Sequence, residues 1–457
     1  MVQLTDTIVA LATPPGRSGI GVIRLSGPAS LRILRSLSTR DEFEPTPNLL
    51  TLRNLINPST NVILDQALVC YFKAPHSFTG EDVVELHCHG SPVLLRSIID
   101  TTLALDARMA APGEFTLRAV ANGRMKLSEA EAIRDLIDAQ TDDALRQATR
   151  QMKGAVANAL QPLKDDLLKV IVRLESSLEF VEDDLPQIET DQLLAAVRRV
   201  RSRFEEMAAT FQRGRLLRDG LRVTLIGRPN AGKSSIFNAL LGRSRAIVHD
   251  APGTTRDAIT ESIGLEGIPI LITDTAGLRA SPDQVEAIGV DRAKREAADS
   301  DLLIVVIDGS EPVTAEDRDA LNQAANQPHI VAVNKSDLPN FSATVSEDHA
   351  NGTSPIISVS ARTSAGLESL RTAMLQPFTN GNLNSDTLLI TNARHHDLLL
   401  RAIAAVSSSE GLLLESASEE LTLVGLHDAL RYLGEITGET TSDQILGEIF
   451  STFCIGK

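Results

Sequence analysis

The sequence predicts a multidomain fold, α/β plus all-α, and three observations carry that expectation. Residues 1–121 alternate short β-rich runs with turn signals, the mark of a mixed α/β domain. From Ser128 the pattern changes to long amphipathic helices, which return near the C-terminus. Between the two helical stretches lies a glycine-rich loop flanked by an apolar strand and a helix. A chain of 457 residues is long enough for about three domains. The expected boundaries are 1–121 for the N-terminal domain, 122–217 for the first helical part, 218–379 for an inserted nucleotide domain and 380–457 for the second helical part.

In chain order, Thr7 to Ala12, Gly19 to Leu25, Leu68 to Phe72 and Asp82 to His87 read as strands. His87-Cys88-His89 invites a metal reading. Alternation along a strand puts the histidines on one face and the cysteine on the other, so a structural role is expected. Cys70, Cys88 and Cys454 have no paired spacing, which argues against a disulfide framework or a zinc ribbon. Ser128 with Glu131 has the form of a capping box, and Ile133, Leu136 and Ile137 begin an apolar face. Helices are expected over Lys164 to Phe180 and Asp191 to Gln212, then over Asn392 to Leu414, Leu421 to Ile436 and Ser442 to Phe450. Pro377 to Asp386 reads as a polar linker, and Glu182-Asp183-Asp184 as a solvated helix end or loop.

The central loop, Gly227-Arg228-Pro229-Asn230-Ala231-Gly232-Lys233-Ser234, follows the apolar run Leu221 to Ile226 and precedes a helix over Ser234 to Leu241. Its backbone amides face phosphates, Lys233 reaches the outer phosphates, and Ser234 offers a hydroxyl to magnesium. Asp274-Thr275-Ala276-Gly277 follows the run Ile268 to Ile272 and puts a carboxylate at a strand tip, where it can hold magnesium through water. Gly277 leaves room for a γ-phosphate. Ile330 to Val333 leads into Asn334-Lys335-Ser336-Asp337, whose Asp337 carboxylate can accept from the N1 and N2 edge of guanine. Adenine lacks that pair of donors, so the expected base is guanine. Ser360-Ala361-Arg362 after Ile356 to Val359 completes the base pocket with backbone amides.

Gly253-Thr254-Thr255-Arg256-Asp257 occupies the place of a switch loop, with Thr255 as the second hydroxyl ligand for magnesium. The inserted domain is therefore expected to be a Ras-like P-loop GTPase domain. Leu278 stands where Ras-like GTPases carry the glutamine that orients the attacking water. A leucine cannot do so, and Glu286 is the favoured substitute, with Arg279 as the other polar candidate.

Composition limits the partners. The net charge of −16 and pI near 5.1 offer no broad basic footprint for nucleic acid, so any such contact is local or shared with a partner. No Trp and two Tyr leave few stacking platforms. No apolar stretch reaches the roughly 20 residues of a membrane span, and the N-terminus lacks a charged n-region with an apolar core. A soluble, cytoplasmic chain is expected.

Over its full length the chain resembles the MnmE (TrmE) family of tRNA uridine modification GTPases. The marks are Asp6-Thr7-Ile8-Val9-Ala10, Ala12-Thr13-Pro14-Pro15-Gly16-Arg17, Ser77-Phe78-Thr79-Gly80-Glu81-Asp82, Ala111-Pro112-Gly113-Glu114-Phe115 and the terminal Phe453-Cys454-Ile455-Gly456-Lys457. The resemblance implies an N-terminal domain that dimerises and binds 5-formyl- or 5,10-methylene-tetrahydrofolate, a split helical domain and an inserted GTPase domain. It implies a homodimer that forms a heterotetramer with the flavoprotein MnmG (GidA) and adds an aminomethyl or carboxymethylaminomethyl group at C5 of the wobble uridine of certain tRNAs.

Carried over by motif, the folate contacts are Arg24, Glu85, Arg124 and Lys457. Relatives commonly have lysine at position 124, and arginine keeps the charge without the geometry. The resemblance also places the end of the chain near the folate site, a position that motivates a nucleophilic or acid/base role for Cys454, and it gives Asn230 a role as potassium ligand together with His249, Ala251 and Thr254. Motifs and resemblance together assign to GTP the loop residues Asn230, Ala231, Gly232, Lys233, Ser234 and Ser235, and the switch residues His249, Asp250, Ala251, Pro252, Gly253, Thr254 and Thr255. They add Asp274, Thr275, Ala276 and Gly277, then Asn334, Lys335 and Asp337, then Ser360, Ala361 and Arg362. The alternative is a regulatory GTPase switch of the Era or Der type in ribosome assembly, which carries an appended RNA-binding domain or a second GTPase domain that this sequence lacks.

Overall fold

The computed structural model describes residues 5–38, 43–179, 187–242, 259–274, 297–342, 354–378, 388–415, 419–440 and 443–456. Contacts divide the chain into two compact units, Met1–Arg134 with Gln151–Leu194 and Ser408–Lys457, and Asp135–Arg150 with Ala195–Ser407.

The first unit holds a 6-stranded sheet of β1 (Thr7–Leu11), β2 (Ile20–Ser26), β3 (Thr51–Asn57), β4 (Val62–Phe72), β5 (Val83–His89) and β6 (Ala107–Met109), in the order β3-β4-β5-β2-β1-β6. All neighbours are antiparallel except β1 and β6. Alternation sends Val69, Val84, Leu86 and Cys88 to one face, where the helices Ser30–Leu37 and Pro92–Leu103 cover them with Ile33, Leu34, Leu95 and Ile98. The opposite face of β5 carries Glu85, His87 and His89, as the alternation predicts. Burial pushes the Cys88 thiol up to about 12. His89 Nδ1 lies 2.7 Å from Asp65 Oδ1, and among the described residues no group of three or more His, Cys, Asp or Glu side chains is arranged to hold a metal ion.

Sequence reading missed β3. It is an edge strand in which only Leu55 is buried, so it lacks the alternation that marked its neighbours. The helix over Lys164 to Phe180 starts earlier, at Ala155, and accommodates Pro162 within Ala155–Glu179. It packs against the helix Glu419–Thr437, so stretches that lie on either side of the nucleotide domain in sequence meet in one unit. Lys164 Nζ donates across that contact to Thr437 Oγ1 at 3.1 Å and Glu439 Oε2 at 2.8 Å.

The Ser128–Glu131 capping box does not form. The helix begins one residue earlier, at Leu127, so Ser128 is already inside it, buried, with no partner for its hydroxyl. Glu129 takes the capping role by accepting from the Lys126 amide at 3.0 Å.

In the second unit the sheet contains β7 (Leu221–Ile226), β8 (Ile259–Leu265), β9 (Ile268–Asp274), β10 (Leu302–Asp308), β11 (His329–Asn334) and β12 (Ile356–Ser358), ordered β12-β11-β10-β7-β9-β8. Every neighbour is parallel except β8 with β9. All residues of β10 and β11 are buried, which is why these strands read as continuous apolar runs. The helix expected over Asp191 to Gln212 ends at Ala209, and a second one, Phe211–Asp219, follows Thr210. Thr210 explains the break: its Oγ1 turns back to Met207 O at 2.7 Å and accepts from the Ile390 amide at 3.0 Å.

Candidate nucleotide site and N-terminal cluster

In a parallel sheet the carboxyl ends of the strands lie at one edge, and four of the motifs end strands there: the glycine loop after β7, Asp274 at the end of β9, Asn334 at the end of β11, and Ser360 beyond β12. The loop residue Asn230 is exposed and left-handed, at φ 63, a conformation asparagine tolerates. Gly232 caps the helix Lys233–Leu241 at φ 99. A Cβ on Gly232 would fall 2.1 Å from Asn334 Nδ2, so the close approach requires glycine. Lys233 Nζ donates to the carbonyls of Gly227 at 2.8 Å and Arg228 at 2.9 Å, which holds its charge over the loop. Ser234 and Ser235 are exposed at the helix start, and Asp274 is buried at its strand tip.

Asn334 ties the phosphate side to the base side. Its Nδ2 donates to Ala231 O at 3.0 Å and its Oδ1 accepts from the Ala361 amide at 3.2 Å. Asp337 is exposed, and Ser360 Oγ donates to its Oδ1 at 2.7 Å. That hydrogen bond holds the Asp337 carboxyl below the usual carboxylate range. The carboxylate is thus ionised and oriented. Arg362 is exposed beside this loop.

Two acidic residues beside the loops, Asp308 and Glu311, carry no motif signal. Arg228 Nη2 lies 2.6 Å from Glu311 Oε2, and Lys335 Nζ pairs with Asp308 at the end of β10. Burial disfavours ionisation of Asp308, but hydrogen bonds from Lys335 and Ser310 outweigh it and hold its carboxyl low. The available signal was Asp308 itself, which ends an apolar strand as Asp274 does.

His249, Asp250, Ala251, Pro252, Gly253, Thr254 and Thr255 lie outside the described residues, as do Thr275, Ala276, Gly277, Leu278, Arg279, Glu286 and Lys457.

In the first unit the structure brings together most of the residues assigned to folate. Arg24 and Glu85 are direct partners across β2 and β5, with Arg24 Nε donating to Glu85 Oε1 at 3.0 Å. His87 Nε2 is 3.3 Å from Glu85 Oε2. The Arg24 guanidinium lies 5.8 Å from the ring centres of both Phe78 and Phe115 and donates to the carbonyl of Gly456 at 3.3 Å. Arg124 Nε donates to Ser77 O at 3.2 Å, on the loop that carries Phe78.

The tail is docked. Phe450 and Phe453 are buried against Leu127 and Ala130, and the Gly113 amide donates to Cys454 O at 3.3 Å, which leaves the Cys454 side chain exposed. Gly113 is left-handed, and a Cβ there would meet Phe450 O at 2.6 Å. Beneath the cluster Arg118, fully buried, pairs with Asp6 at 2.6 Å, Glu114 at 3.0 Å and Glu81 at 3.1 Å. Ser26 Oγ donates to Glu81 Oε2 at 2.6 Å, so this ionic core braces the loop that carries Phe78. Glu81 and Glu114 lie within contiguous motifs, but no local pattern in the sequence reveals this ionic role. For Asp6 and Glu114 burial favours the neutral form, yet the hydrogen bonds from Arg108 and Arg118 prevail and lower both carboxyls.

The sheet order, the glycine loop and the Asn334-to-Asp337 loop tied to it through Asn334 define a Ras-like P-loop protein of the GTPase class. Two family models match the chain, "MnmE helical domain" over residues 127–454 and "GTP-binding protein TrmE N-terminus" over residues 7–124. It is 42% identical to the tRNA modification GTPase MnmE of Koribacter versatilis over 100% of both chains, and 41% identical to that of Heliobacterium modesticaldum over 99% of each. Among solved structures, Era of Aquifex aeolicus bound to GDP and tetrafluoroaluminate matches with a TM-score of 0.29 and 26% identity, covering 40% of this chain and 66% of that one. The chain belongs to the MnmE (TrmE) family.

Proposed function

We propose that this chain hydrolyses GTP, with magnesium, in the service of tRNA modification, and that the modified position is C5 of the wobble uridine. The observation that carries the reading is the full-length likeness to tRNA modification GTPases, together with an oriented Asp337 carboxylate at the end of the base loop. Lys233 and the loop amides bind the phosphates, the Ser234 and Thr255 hydroxyls serve magnesium, and Asp274 supports it through water. Glu286 or Arg279 orients the attacking water in place of the missing glutamine. Potassium, when bound, supplies positive charge beside the phosphates, and the exposed Asn230 with His249, Ala251 and Thr254 forms its donor set. An Era- or Der-like switch is not favoured, because the relatives match from end to end and are named for tRNA modification.

In the N-terminal unit, the Arg24–Glu85 pair beside the exposed Phe78 ring suits a flat heterocycle that carries donors and a negative tail, which supports tetrahydrofolate as ligand. Arg24 and Glu85 would hold and orient the folate, with Arg124 and Lys457 as further contacts; bound there, it would supply the one-carbon unit, and the exposed Cys454 is a candidate acid, base or nucleophile. The working assembly is a homodimer joined to MnmG in the cytoplasm. Among the described residues no helix is long and apolar enough to cross a membrane.

The test is mass spectrometry of wobble-uridine nucleosides from cells lacking this protein. Loss of the modified base, restored by the wild-type chain but not by Lys233→Ala, is expected. Unchanged nucleosides would sink the reading.

A further inference from the structure

The turn after β10 adds a part to the nucleotide site that the motifs do not contain. Asp308 is 3% exposed, and its two oxygens are used differently. Oδ1 accepts from the Ser310 hydroxyl at 2.6 Å and from the Ser310 amide at 3.0 Å, so the turn itself saturates it. Oδ2 pairs with Lys335 Nζ of the base-reading loop and lies 3.7 Å from Arg228 Nη2 of the phosphate-binding loop. One buried carboxylate oxygen therefore faces a cation from each half of the site.

The surroundings restrict movement of either partner. The same Arg228 Nη2 meets Glu311 Oε2 at 2.6 Å, and Arg228 Nε lies 3.4 Å from Asp317 Oδ1. Asp317 is fixed in turn, as the capping-box residue of the helix Ala315–Ala324. Lys335 sits at φ 67, a left-handed conformation that lysine adopts only when its surroundings impose it. The Gly309 amide donates to Asn334 O at 2.9 Å, so the turn also grips the base loop through its backbone. Without the Asp308 charge, Arg228 keeps Glu311 and Asp317, whereas Lys335 loses the carboxylate that holds it, and its partly exposed end is the side free to move away.

We propose that Asp308 is a positioning residue for guanine-nucleotide binding, which holds Lys335 and the base-reading loop in register with the phosphate-binding loop at Arg228. The inference rests on the reading of this site as the GTP site. It acts on affinity, because nucleotide must meet both loops at once, and leaves the hydrolytic step to the residues around the γ-phosphate.

The experiment uses the purified full chain, with fluorescent GDP for affinity and steady-state GTP hydrolysis for KM and kcat. Asp308→Asn keeps the size and removes the charge. Its expected effect is a rise of about tenfold in Kd for GDP and in KM for GTP, with kcat within about twofold of wild type. Lys335→Gln is expected to weaken GDP to a similar degree, and the double variant to be no worse than either single one, because both lose the same ion pair. GDP affinity within about twofold of wild type in Asp308→Asn, or losses that multiply in the double variant, overturns the inference. If Asp308→Asn does not fold, Ser310→Ala decides: about threefold weaker GDP binding supports the proposal and unchanged binding refutes it. Wild-type chain that fails to bind GDP removes the GTP reading itself, whereas wild-type binding with unaffected variants removes only the role of Asp308.

Discussion

Replacement of Gly232 by alanine tests how tightly the phosphate and base halves of the site are joined. The new Cβ meets Asn334 Nδ2 at 2.1 Å, a distance no pair of such atoms tolerates, and the residue must hold φ at 99°. A left-handed conformation costs an L-residue about 1–2 kcal/mol. Displacing Asn334 breaks its bonds to Ala231 O and from the Ala361 amide, at about 1 kcal/mol each. The sum is roughly 3–4 kcal/mol, which at 1.4 kcal/mol per tenfold corresponds to a loss of two to three orders of magnitude in affinity.

In the ligand-free variant the loop relaxes away from Asn334, so the strain is imposed when nucleotide pulls the loop back. The expected result by equilibrium titration with fluorescent GTP analogues is a Kd raised at least a hundredfold with a modest change in melting temperature. Gly411→Ala is the control. It lies in the helix Ala393–Leu414 with nothing within 4 Å of a new Cβ, and should leave GTP binding unchanged. A Gly232→Ala protein that folds and binds GTP within threefold of wild type would refute the reasoning.

Three further outcomes are expected. Asp337→Asn should exchange GTP for xanthosine triphosphate, since an amide accepts from N1–H and donates to the 2-oxo group; competition between the two nucleotides checks it, and retained preference for GTP contradicts the base assignment. Turnover should be faster in potassium chloride than in sodium chloride at equal ionic strength, with equal rates counting against Asn230 as a cation ligand. Because Asp6 and Glu114 have lowered carboxyls in the folded protein, their contribution to stability is complete above the unperturbed values of 3.8 and 4.5 and is lost as pH falls through the folded values. The melting temperature should therefore fall steeply below pH 4.5. Glu114→Gln, less stable at neutral pH, should show a shallower decline, and parallel curves for the two proteins would contradict the ionic core.

The nucleotide domain was largely legible in the sequence because each of its motifs is contiguous. A glycine loop needs only its neighbours to form, and an apolar run such as Ile330 to Val333 declares a strand buried on both faces without reference to its partners. The edge strand β3, exposed along most of its length, carried no such mark, and the break at Thr210 depended on Ile390, which no local pattern reveals.

Residue types and their order by themselves determined the class of nucleotide, the strand ends that carry the motifs and the membership of a family. Only the tertiary structure decided which charges meet. Arg24 and Gly456 are 432 residues apart, Arg118 and Asp6 are 112 apart, and Arg228 and Glu311 are 83 apart. Pairs of this kind leave no periodicity in the chain, because a buried charge is tolerated only once packing has brought its partner within hydrogen-bond reach, and that placement belongs to the folded molecule alone.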